Sequence, residues 1–309
     1  MTQQSPPADD AAGPPGRSGH PDGAAQPDIP ERVAVTYGEL DLSTVPAFAG
    51  GFINFGYWAQ LPGVAERPLT EADRIRSEQD LYRLVLSSFT RPQGRAALEV
   101  GCGRGLGCVL ALREFGLGSV IGLDAHPDQI ARARRTHAAL LGREAGEPAE
   151  GQGPPVGRLD FVQGAAQRIP LPDASVDCVF SVEAAQHFRD LAGFARETAR
   201  VLRADGRLTL TTFFARDQDA AGALPGLLPP FANGLDVPHV VDDVTAALSG
   251  AGLREVAVQA IGDGVWEPYD RYMAQQPDQR DGWPRRYLTA YESGLLDYYV
   301  VTAAAAPSP

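Results

Sequence analysis

The chain has 309 residues, 44% of them hydrophobic, and a formal net charge of −12 at pH 7. That length holds one large domain with an ample core or two small ones, and no apolar run approaches the roughly 20 residues of a bilayer span. The acidic balance argues against nucleic acid and anionic membrane surfaces as partners.

Every basic residue is Arg, and the three cysteines, Cys102, Cys108 and Cys178, show no zinc spacing. With no apolar signal-peptide core at the N-terminus, they point to reduced thiols in the cytoplasm. Residues 1–30, rich in Pro, Gly, Ala, Ser and Asp, read as a disordered tail, and 31–90 as an N-terminal lid and helical segment. Within that segment the aromatic, glycine-rich stretch AFAGGFINFGYW (47–58) precedes a helical pattern over 71–89, with Ile75, Leu81, Leu84, Val85 and Phe89 near one stripe.

From residue 96 short apolar runs alternate with helical patterns. Strands are expected at 96–100, 119–123, 159–163, 176–182, 206–214 and 253–259, with a last one in LLDYYVVTAAA. Helices are expected at 106–116, 127–141, 194–202 and 240–251, a loop at 142–157, a substrate lid near 215–240, and a disordered tail at 305–309. Strands of continuous Val, Leu and Ile separated by helices imply an α/β domain over 91–304, its parallel sheet covered on both faces.

The stretch ALEVGCGRGLG (97–107) places four glycines directly after the first strand. A strand, a glycine-rich turn and a helix in that order set backbone amides and a helix N-terminus against an electron-rich ligand. The dinucleotide spacing G-x-G-x-x-G fails, because Leu106 and Cys108 stand where the last glycine belongs, which disfavours a nicotinamide-dependent dehydrogenase. The pattern is instead Glu99-x-Gly101-x-Gly103-x-Gly105, with an acid inside the strand end that suits a ligand carrying an amino group or another cation.

This motif resembles the first motif of class I S-adenosylmethionine (SAM) dependent methyltransferases, E/D-x-G-x-G-x-G. The resemblance extends over roughly 50–304, and GGFINFGYW, SVEAAQHF and LDYYVVTA are similar to bacterial small-molecule methyltransferases acting on sugars, polyketides and other secondary metabolites. It implies a Rossmann-like, seven-stranded, mostly parallel sheet with an N-terminal helical lid. It also implies SAM as cofactor and a small-molecule acceptor; a homo-oligomer is compatible with it. No His/Cys/Asp cluster has metal spacing, so no metal is expected, the alternative being magnesium held by carboxylates converging from distant loops. Carried over residue by residue, Glu99, Gly101, Cys102, Gly103 and Gly105 form the turn beneath the methionine portion of SAM. Asp124 accepts hydrogen bonds from the ribose diol, with Ala125 beside it; the alternative for Asp124 is an N-cap on the next helix. Where many relatives hold adenine with an Asp after the third strand, this chain has Ala165, leaving Ala166 and Gln167 to meet the purine, although Gln167 reads equally well as a solvated loop residue. Val182 closes the fourth strand against the cofactor, and Tyr57, with Asn54 and Trp58, resembles a lid that approaches the SAM carboxylate. The alternative is that Phe52, Phe55 and Trp58 form a packing stripe.

An alcohol acceptor must lose its proton during attack, and a positioned His is the natural base near neutral pH. His187, just beyond the fourth strand at the carboxyl edge of the sheet, is the candidate, against a reading in which it caps the following helix. His126 is placed to touch cofactor, His137 on a helix surface, and His239 at the lid as a second substrate contact. Glu183 orients His187, binds a cationic group, or accepts local backbone hydrogen bonds; in relatives that methylate carbon, a Glu near this position removes a proton or steadies a carbocation. Phe213, Phe214, Trp266, Tyr269 and Tyr272 either line an apolar acceptor pocket or pack the core. The leading expectation is O-methylation of a small hydroxylated metabolite with His187 as base. The alternatives are C- or N-methylation using Glu183, or a SAM-binding scaffold acting as a cyclase.

Overall fold

The computed structural model describes residues 29–39, 46–142 and 157–307. Residues 1–28 of the tail expected at 1–30, most of the 142–157 loop and the last two residues of the tail expected at 305–309 lie outside the described residues. Ile29 and Pro30 are instead placed against the domain, and Ala305 and Ala306 bond to the Gly206 carbonyl and the Asp205 amide, so neither tail begins where expected. The chain enters through the short helix α1 (Glu31–Ala34), a π-turn at Val35–Glu39 and a 3-10 segment at Pro46–Gly51. Helix α2 (Glu71–Leu86) follows. It starts at Thr70 because that side chain and Asp73 cap each other's backbone amides, an arrangement worth about 1 kcal/mol. Its inner face buries Leu81, Tyr82, Val85 and Leu86, but also Arg74, Ser77 and Glu78.

Those buried polar groups anchor the aromatic segment that precedes the helix. The Arg74 guanidinium donates to the carbonyls of Ala47 and Asn54, pairs with Glu78 at 3.0 Å, and lies over the rings of Trp58 and Tyr269. One cation thereby fixes residues 47–58 onto the domain. Trp58 is fully buried, its indole N–H on the Phe55 carbonyl, so packing describes this residue.

The sheet is built from β1 (Ala96–Val100), β2 (Ser119–Asp124), β3 (Arg158–Gln163), β4 (Val176–Val182), β5 (Leu202–Ala215), β6 (Arg254–Ala260) and β7 (Leu296–Ala304), in the order β3-β2-β1-β4-β5-β7-β6. Only β7 runs antiparallel to its neighbours. Helices α3 (Leu106–Phe115), α4 (Pro127–Thr136), α5 (Leu191–Val201) and α8 (Val241–Gly250) connect the strands, and α9 (Trp266–Gln275) and α10 (Arg286–Glu292) precede β7. Two buried clusters, one on each face, hold the layers together. This is the Rossmann-like, seven-stranded, mostly parallel architecture implied by the resemblance. No helix among the described residues is long and apolar enough to cross a membrane.

Several elements differ from expectation. The helix expected over 127–141 ends at Thr136, where His137 leaves helical geometry and a 3-10 turn takes over at Ala138–Leu140. The region expected as an irregular lid carries α6 (Gln218–Leu227) and α7 (Pro229–Ala232), the first capped by Asp217. Its Pro225 and glycines mask the helical signal, while Ala220, Ala221 and Leu224 supply the buried face. Strand β5 begins at Leu202, four residues early, because Leu202 pairs with Val176 before the register jumps to Arg207 opposite Cys178.

Candidate active site

In this strand order β1 lies between β2 and β4, so the chain reverses its winding at the carboxyl end of β1, where open α/β sheets bind ligands. A cavity of about 250 Å³ opens there, walled by the turns after β1, β2, β3 and β4 and roofed by Ile29, Pro30, Val33 and Tyr37.

The turn after β1 is set by its glycines. Gly101 has φ +80°, and a Cβ there would lie 2.3 Å from the Ala184 methyl carbon. At Gly103 a Cβ would meet nothing within 4 Å, so that backbone is bare toward the cavity. Its amide donates to Asp124 Oδ2 (2.9 Å), while Oδ1 accepts from the His126 amide (2.8 Å). Asp124 thus bridges the tips of β1 and β2. It does not cap α4, since the His126 ring takes that role by accepting from the Asp128 amide at 3.1 Å. Burial pushes the Asp124 carboxyl up, against the pull of the two amides.

The structure brings Gly101, Cys102, Gly103, Asp124, Ala125, Ala166, Gln167, Val182, Glu183 and His187 to this one cavity. Three expected residues are elsewhere. Glu99 is fully buried behind the turn, its carboxylate taken by the Tyr82 hydroxyl and the Cys108 thiol, both at 2.9 Å; Tyr82 stands at the wall in its place. Gly105 caps α3 with φ +75° and leaves room for Phe161. Tyr57 packs against Gly264, away from the cavity. The apolar candidates Phe213, Phe214, Trp266, Tyr269 and Tyr272 are buried and none lines the cavity. Phe213, Trp266 and Tyr269 surround Phe55, whose ring they meet at centroid distances of 5.7, 5.1 and 4.7 Å. His137 is buried rather than on a surface, its Nε2 at 3.0 Å from the Arg104 carbonyl. His239 is away from the cavity, bonded to the Phe188 carbonyl.

His187 does not cap the following helix, because Asp190 does. Its Nδ1 lies 3.0 Å from the Leu235 carbonyl and 3.1 Å from Asp236 Oδ1. Both partners are acceptors, so Nδ1 carries the proton and Nε2 presents its lone pair. Nε2 in turn meets the Tyr37 hydroxyl at 2.8 Å and the Gln186 amide nitrogen at 3.3 Å, both able to donate. Asp236 is held by its own amide on the Pro230 carbonyl and by the neighbouring Val237 amide on the Gln186 carbonyl. The sequence reading missed Asp236, because LDVPH lay inside a presumed lid with no periodicity to place it. It also missed Tyr37, Tyr82 and Gln129, whose side chains reach the site only through tertiary packing.

Glu183 adopts φ +49° at the end of β4, and its Oε2 accepts from the Phe55 amide (2.7 Å) and the Tyr298 hydroxyl (2.6 Å). Burial pushes this carboxyl up to about 8 even though both donors pull it down, so it is largely protonated at pH 7. A group raised in the folded state favours folding below its unfolded value and loses that favour as pH climbs toward 8. The expected result is stability falling between pH 5 and 8, with Glu183→Gln removing on the order of a few kcal/mol of that slope. Urea unfolding at each pH measures it, and an unchanged slope in the variant would contradict the assignment.

The geometry defines a class of protein: an open α/β sheet with a ligand-sized crevice at its switch point. Comparison with known proteins agrees, a methyltransferase-domain family model matching residues 98–210. The chain is 34% identical over 165 residues to a fatty-acid O-methyltransferase of Mycolicibacterium smegmatis, an alignment covering 52% of each, so it spans about half the length of that curated relative. It is 29% identical over 231 residues to erythromycin 3''-O-methyltransferase of Saccharopolyspora erythraea, covering 72% of this chain and 68% of that one. Among solved structures, geranyl diphosphate C-methyltransferase of Streptomyces coelicolor superposes with a TM-score of 0.70 at 17% identity, covering 89% of this chain and 96% of that one. Residues 98–210 thus match a methyltransferase domain, on a fold shared with solved methyltransferases.

Proposed function

We propose that the protein transfers the methyl group of SAM to a hydroxyl of a small natural product, with His187 as general base. The observation that carries this reading is the polarised imidazole: Nδ1 tied to Asp236 and the Leu235 carbonyl, Nε2 turned toward the cavity.

The residues present fit the cofactor. The bare backbone at Gly103 allows close approach, and Asp124 presents a carboxylate to a vicinal diol. Ala125, Ala165 and Ala166 leave a slot without side-chain bulk for a purine, and the amide oxygen of buried Gln129 has no partner at the same wall. When bound, SAM supplies an activated methyl on a sulfonium, which is the demanding part of the chemistry. His187 Nε2 takes the hydroxyl proton, and Asp236 stabilises the resulting imidazolium through Nδ1, a contribution of about 10²- to 10⁴-fold. Phe52, Ile53, Val182 and Phe188 keep the cavity apolar and exclude water. Glu183 Oε2 is engaged within the chain by the Phe55 amide and the Tyr298 hydroxyl, which weighs against carbon methylation through it.

S-adenosylhomocysteine is expected to raise the melting temperature while NAD does not. Label from methyl-labelled SAM is expected to reach a hydroxylated component of a metabolite extract. Stabilisation by NAD alone, or label on carbon with His187→Ala fully active, defeats the reading.

A further inference from the structure

The lone pair that a general base must offer to an acceptor is already engaged in this structure by the chain's own Tyr37. Resting on the reading of His187 as base, we infer that the Tyr37 side chain occupies the acceptor slot: its phenol marks where the acceptor hydroxyl binds, and the acceptor is an aryl hydroxyl compound that displaces it.

Three features carry this. First, the hydroxyl lies 2.8 Å from His187 Nε2, and Nε2 is the accepting nitrogen because Nδ1 faces only acceptors. Second, the ring is fitted to the site, its edge meeting the imidazole with centroids 5.3 Å apart and planes at 64°, so a flat six-membered ring is accommodated there. Burial and the surrounding carboxylates of Asp236, Glu183 and Asp124 raise the Tyr37 phenol, so it stays a neutral donor as an arriving phenol would. Third, Tyr37 belongs to a separate short segment, not to the sheet. That segment is docked on α4 by polar contacts: Gln129 Nε2 and Arg132 Nη1 each donate to the Tyr37 carbonyl at 2.8 Å, Arg132 also donates to the Gly38 carbonyl, and His126 Nε2 meets the Ala34 carbonyl at 3.1 Å. The backbone is held by side chains beside Asp124, and the ring can leave the slot without disturbing the sheet.

The test uses the full chain with S-adenosylhomocysteine and diethyl pyrocarbonate, which acylates an unprotonated imidazole nitrogen. Because every basic residue is Arg, trypsin releases residues 169–189, a peptide whose sole histidine is His187, and its modification is followed by mass spectrometry. In Tyr37→Ala, His187 is expected to react about fivefold faster than in the wild type, the factor one lost hydrogen bond imposes. Added p-cresol is expected to restore protection and toluene is not. In Tyr37→Phe the ring remains without its hydroxyl, so reaction quickens, and p-cresol, which must displace the ring, is expected to protect only at a higher concentration than in Tyr37→Ala. Equal rates in wild type and both variants, or equal protection by p-cresol and toluene, overturn the proposal. Stabilisation by S-adenosylhomocysteine in the same variants is read separately, so a failed cofactor assignment is not mistaken for a failed slot.

Discussion

Replacing His187 with alanine lowers turnover by about 10²- to 10⁴-fold while affinity for S-adenosylhomocysteine stays within about threefold of the wild type. The separation follows from geometry. His187 is held by Leu235 and Asp236, whereas the proposed nucleoside wall is made by other residues, Gly103, Asp124 and Ala125. Asp236→Asn removes the charge that stabilises imidazolium but keeps an acceptor oxygen, so it is expected to reduce turnover less than His187→Ala and to shift the pH profile. Turnover is followed as S-adenosylhomocysteine release with the extract component that gives the highest rate. Full activity in His187→Ala would transfer the proton-removing role to another group.

Asp124→Ala weakens S-adenosylhomocysteine binding by about 100-fold or more, measured by titration calorimetry. The carboxylate accepts the Gly103 and His126 amides, and charge-assisted bonds of this kind contribute roughly 1.5–3 kcal/mol each. Their loss frees the glycine turn from β2 and removes the acceptor for a sugar diol at the same time. Asp124→Asn retains one accepting oxygen and is expected to fall between the two. An unchanged dissociation constant for Asp124→Ala would mean that the crevice binds its ligand without this strand tip.

The parts of the fold legible in the sequence were those governed by local rules. β1 and β4 were bounded correctly because five- and seven-residue apolar runs end at Gly101 and Glu183, where the backbone turns to positive φ. The glycine turn was legible because residues lacking Cβ have few other uses between a strand and a helix. Glu99 was assigned to the ligand from its position in the motif, but a strand residue faces one side only, and its side fell toward Tyr82 and Cys108. Tyr57 was placed by the resemblance of its segment to a lid, whereas the ring that reaches the site is Tyr37, 150 positions from the histidine it meets. No periodicity encodes a contact of that range.

The matched domain, 98–210, contains Gly103, Asp124 and His187 but neither Tyr37 nor Asp236. The imidazole therefore comes from the shared part of the fold, and the two groups that tune it come from outlying segments on either side. Swapping those flanks between relatives is expected to change what tunes and covers the base, while the imidazole and the Gly103–Asp124 wall stay in place.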